Sequence, residues 1–80
     1  MEPLEKRGDI VTVIKVIELV GQSSSSWDDA VKEAVREASK TIDHISGVEV
    51  LNWTGDVDEQ GNIVDYKADV QIAFRVEGTD

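Results

Sequence analysis

The chain has 80 residues with no cysteine and a single histidine, the size of one small domain with a thin core and neither a disulfide framework nor clustered imidazole ligands to reinforce it. Seventeen acidic against eight basic side chains give a formal charge of −9, which repels nucleic-acid backbones and anionic membrane surfaces. Association with copies of itself is the remaining way to gain buried surface.

Residues 1–9 (MEPLEKRGD) mix charges of both signs with the only proline and have no apolar period, as expected of a flexible N-terminal tail preceding a single domain over residues 10–80. Residues 10–20 (IVTVIKVIELV) are dense in β-branched side chains and read as a strand. Lys15 and Glu18 interrupt this run, which is too short and too charged to cross a bilayer or act as a secretory signal, so a cytoplasmic protein is expected. Val13, Ile17 and Leu19 fall on one face of the strand and Ile14, Val16 and Val20 on the other. Because one helix covers one side of a sheet, the second apolar face asks for cover from another subunit.

Residues 21–26 (GQSSSS) read as a polar loop. Ser25 or Ser26 is placed to cap a helix, with Asp28 or Asp29 completing a capping-box-like pair. Trp27, Ala30, Val31, Ala34, Val35, Ala38 and Ile42 then recur at helical spacing against a charged face, predicting an amphipathic helix to about His44. A second strand is expected over Val48 to Val57, a turn over Asp58 to Asn62 with Gly61 free to take positive φ, and a third strand over Val64 to Glu77. In the third strand Tyr66, Ala68, Val70, Ile72, Phe74 and Val76 alternate with a polar set, so one face is core. The class is α+β: a β-α-β-β chain whose first strand pairs antiparallel with the third, giving a three-stranded sheet curled over one helix.

KVIELVG (15–21), the serine-rich loop, SWDDAVKEAV (26–35), ASKTI (38–42) and VQIAFRVE (70–77) together resemble the dodecins, over residues 13–77. The resemblance implies a hollow homododecamer that binds flavins (riboflavin, FMN or FAD) in pairs at subunit interfaces, or calcium in members that lack the flavin-stacking tryptophan. The matching ligand positions are Gly47, Val48, Glu49, Asn52 and Lys67. Gly47 stands where flavin-binding members carry that tryptophan, Lys67 follows Tyr66 where they carry glutamine, and Thr54-Gly55 replaces a frequent Arg-Gly. The stacking platform, worth about 1–3 kcal/mol per ring, is therefore missing, and lysine can donate but not accept.

Trp53 follows Gly47 by six residues, on the same strand face if there is no bulge and about 20 Å away. It is expected at a subunit contact or pore, with a shifted aromatic platform as the alternative. His44 reads as an ordinary residue of a helix C-terminus. Asp56, Asp58 and Glu59 are candidate ligands for calcium or magnesium, although their spacing does not match an EF-hand loop. With Ser23 to Ser26 assigned to loop and cap, no nucleophile and base pair up, so no enzyme is expected. Two functions stay open: a storage shell for a small flat ligand, or a flavin-free assembly with a structural or cation-binding role.

Overall fold

The computed structural model describes residues 12–77; the expected tail at 1–9 lies outside the described residues. The elements run β1 (Thr12–Ser23), α1 (Trp27–Ser39), β2 (Ile45–Val57) and β3 (Ile63–Glu77). β3 is central, paired antiparallel with β1 on one side and β2 on the other, so the β-α-β-β fold holds. No helix among the described residues is long and apolar enough to cross a membrane.

The core lies between α1 and one face of β3. Ala30, Ala34 and Ala38 meet Ala68, Val70 and Ile72, while Ile17, Leu19, Val35 and Val50 close the margins. The small helix residues draw α1 against the sheet, and Val70 and Ile72, the largest fully buried side chains, contribute on the order of 2 kcal/mol each. The alternation read along β3 is the alternation observed.

β1 runs further than its apolar stretch, because Gly21, Gln22 and Ser23 continue the ladder opposite Ala68, Lys67 and Tyr66. These residues were expected in a loop. Gly21 is there because the helix leaves no room for a side chain: a Cβ would come within 1.9 Å of the Ala30 carbonyl oxygen.

Ser26 caps α1, its hydroxyl accepting from the Asp29 amide at 3.0 Å. The reciprocal contact comes from Ser23, which donates to the Asp29 carboxylate at 2.8 Å and accepts from the Ser25 amide. Ser26→Ala should lower stability by about 1 kcal/mol, measurable as a drop in the thermal unfolding midpoint; Ser26→Asp, which restores an acceptor, should recover it.

The helix stops at Ser39, not near His44: the Thr41 and Ile42 amides both turn back to the Ala38 carbonyl. His44 has φ 65°, a left-handed conformation that histidine tolerates better than most non-glycine residues. Its carbonyl accepts from the Arg75 amide, which anchors the crossing into β2 from Ile45. At the far end, Asp58 and Asn62 close the hairpin and Gly61 takes φ 87°.

Candidate functional site

The helix covers one face of the sheet and leaves the other open. Cross-strand register places Ile14, Val16, Glu18, Val20 and Gln22 of β1 on that open face. Ile14, Val16 and Val20 are 53%, 52% and 63% exposed, the unpartnered apolar strip foreseen from the alternation.

Rows of residues cross this face from β1 through β3 to β2. Val16, Ala73 and Gly47 form the first, Glu18, Gln71 and Glu49 the second, Val20, Asp69 and Asn52 the third, and Gln22, Lys67 and Thr54 the fourth. The expected ligand residues Gly47, Glu49, Asn52 and Lys67 therefore share one surface. Gly47 lies three residues into β2, not at the helix-to-strand corner, and a Cβ built on it would meet no atom within 4 Å. Its backbone is outside the positive-φ region, so the strand does not require glycine there. Lys67 is held by an ion pair to Asp56 (3.2 Å), and beside it the Gln22 amide donates to Asp65 (2.5 Å). An ammonium, a carboxamide and carboxylates thus gather at one end of the open face, three rows along the strands from the open position at Gly47.

Two expected residues lie on the other side. Val48 pairs with buried Ile72, which places it on the helix face. Trp53 is opposite buried Ala68, because a bulge between Val50 and Asn52 inserts Leu51 and reverses the alternation. The no-bulge condition for placing Trp53 on Gly47's face is not met. Instead Trp53 meets Trp27 edge-on, 6.2 Å between ring centroids; Trp27 meets Tyr66 likewise at 4.8 Å and donates from Nε1 to the Thr54 carbonyl at 2.7 Å. This aromatic cluster ties the helix start to the hairpin.

The metal expectation is not supported within one chain: Asp56, Asp58 and Glu59 form no cluster that could hold a metal, nor does any other such group among the described residues. Asp56 is paired with Lys67. Asp58 staples the turn, accepting at one oxygen from the Gln60 and Asn62 amides, each 2.9 Å away. The Asn62 backbone hydrogen bond, aided by the Asn62 side chain and the Gln60 and Gly61 amides, holds the Asp58 carboxyl below its ordinary value. A depressed carboxyl stabilises the fold above its ordinary value of 3.8, and that contribution is lost as pH falls through the folded value. Asp58→Ala should therefore flatten the acid limb of the stability profile, measured by thermal unfolding between neutral pH and about pH 3.

Glu18, Gln22, Asp69 and Gln71 also belong to the open face and were not singled out from sequence. Their alternation within each strand was visible; the register that aligns them across strands was not.

The chain is thus a curled antiparallel β-α-β-β unit with one face covered by the helix and one open face that is part polar and part apolar. The Dodecin family matches residues 13–77, and the chain belongs to that family. It is 33% identical over 66 residues to calcium dodecin of Mycobacterium tuberculosis, covering 82% of this chain and 92% of the relative. It is 34% identical over 67 residues to dodecin of Thermus thermophilus, covering 84% and 96%. A crystal structure of a Thermus thermophilus protein, tt0972, superposes with a TM-score of 0.80 at 33% identity, covering 86% of this chain and all of the other.

Proposed function

We propose that this dodecin is a non-catalytic binding and storage protein that assembles with copies of itself and holds a flat, polar-edged molecule of the flavin class between their open faces. The observation that carries this reading is the unobstructed space over Gly47, in the same surface as Glu49, Asn52 and Lys67. The apolar strip of β1 beside it supplies a reason for a second chain to cover the ligand. A binding role also fits the serines, since Ser23 and Ser26 are engaged in the helix cap.

Without an indole at position 47, ring stacking contributes little, and the ligand is held by its edge and by enclosure. Lys67 is a point-charge partner for a phosphate. Titration of native protein into riboflavin and into FMN should quench both fluorescences, with FMN bound more tightly, and Lys67→Gln should erase that preference. Absence of quenching at micromolar protein with either flavin would remove the flavin class from this face.

A divalent-cation role is the second reading, favoured by the similarity to a relative named calcium dodecin and by the net charge of −9. Because the candidate carboxylates do not converge within one chain, calcium or magnesium would bind between copies. Calcium that raises the unfolding midpoint of the assembled protein in a saturable way supports this reading; no shift at millimolar calcium argues against it.

A further inference from the structure

The open face carries a carboxylate contact that the ligand reading does not use. Glu18 on β1 is opposite Gln71, one position diagonal from Asp69, which is opposite Val20. Register makes the two side chains diagonal neighbours on the same face of adjacent strands. Asp69 Oδ1 is shut off from solvent and has no hydrogen-bond donor, an arrangement that costs stability when the oxygen carries charge. A proton on Glu18 would supply the missing donor for Asp69.

The surroundings do not neutralise the pair. On β2, Glu49 faces Gln71 from the other side and Asn52 faces Asp69. On β3, the cation two residues along the same face is Lys67, paired with Asp56, and Asp65 lies beyond it with Gln22. Arg75 is at the opposite end, across from Ile14. Lys15 alternates onto the helix side opposite Phe74. From α1, Glu33 and Glu37 border β1 near Leu19 and Val20, and they pair with Arg36 and Lys40.

We propose that Glu18 and Asp69 share one proton and act as a pH-operated latch that fastens the edge strand β1 to the central strand β3. The hydrogen bond to Asp69, then its charge and then burial, hold the Glu18 carboxyl above its ordinary value of 4.5. A raised carboxyl means that the folded chain binds the proton more tightly than the unfolded one. The stabilisation is fully present below 4.5 and lost as pH rises through the folded value. At neutral pH two adjacent negative charges remain, and β1 is held less firmly. The latch requires no ligand, so it stands or falls independently of the flavin reading.

The test is the thermal midpoint of the full-length, ligand-free protein from pH 4.5 to neutral, for native protein, Asp69→Asn, Glu18→Gln and the control Glu59→Gln. The chain is acidic overall, so some gain on acidification is expected from general repulsion; the control removes one carboxylate from the exposed hairpin turn. The native midpoint should fall as pH rises, and either latch variant should lose most of that slope and be more stable at neutral pH, while the control keeps the native slope. Infrared spectra of protein with 13C-labelled glutamate give a reading that does not depend on the variants folding. A protonated glutamate carboxyl band should persist above pH 4.5 in the native protein and disappear with Asp69→Asn. A native protein without that band, or a control that flattens the slope as much as Asp69→Asn, overturns the latch.

Discussion

Gly21→Ala should lower stability by about 3 kcal/mol, at the upper end of the cost of overpacking, and depress the thermal midpoint by roughly 12 to 24 °C for a domain of this size. The added Cβ would lie 1.9 Å from the Ala30 carbonyl oxygen, 2.9 Å from its carbon and 3.1 Å from the Ala34 Cβ. These are helix-backbone and small core atoms, with no flexible side-chain end able to swing away. The helix must withdraw from β1, which opens the seam where Ala30 and Ala34 are buried. Such a loss is a large part of the 5 to 15 kcal/mol that holds a domain together. Gly47→Ala is the matched control, since its Cβ meets nothing; circular dichroism melts of the two variants should differ widely. Equal midpoints would mean that β1 and α1 do not approach as described.

Gly47→Trp should strengthen flavin binding by about 5- to 150-fold, the range given by 1 to 3 kcal/mol of ring stacking, while leaving the unfolding midpoint of the ligand-free protein nearly unchanged. A Cβ on Gly47 meets no atom and the backbone is not left-handed, so the strand itself does not resist a side chain there. Its ring would project on the face that bears Glu49, Asn52 and Lys67, next to Ala73 and Val16. Fluorescence quenching of riboflavin and FMN reads the gain directly. A variant that folds and binds no better would show that flat rings are not held over this end of the sheet. Trp53→Phe should leave flavin affinity close to native, because that indole lies on the helix face against Trp27.

The contrast between these glycines marks how far the sequence could be read. Helix periodicity identified Ala30, Ala34 and Ala38, and strand alternation identified Ala68, Val70 and Ile72, because burial follows period wherever an element is regular. The partner of β1 followed from the β-α-β-β order, in which the helix returns the chain so that β1 can pair with β3 of the hairpin. Gly21 looked like the start of a loop, since its reason is a carbonyl contributed by a helix nine residues later. The helix end was misplaced because ASKTIDH contains neither glycine nor proline, and His44 takes the left-handed position that those rules assign to glycine or asparagine. The face of Trp53 was undecidable for a related reason: the bulge at Leu51 falls in VLNW with no local turn signal. Of the candidate site, family resemblance named Gly47, Glu49, Asn52 and Lys67, and the register is what puts these four on one face. The Glu18 and Asp69 contact arises from register alone.

The chain described here is a slab, 66 × 25 × 14 Å, with Ile14, Val16 and Val20 exposed on one face and Trp53 on the other. Other copies are expected to cover these surfaces and to enclose the space above Gly47. Light scattering coupled to size exclusion, at low micromolar protein and physiological salt, measures this most directly. The predicted result is a single particle with the mass of a dodecamer, folded by circular dichroism. A stable, folded monomer under the same conditions would contradict it.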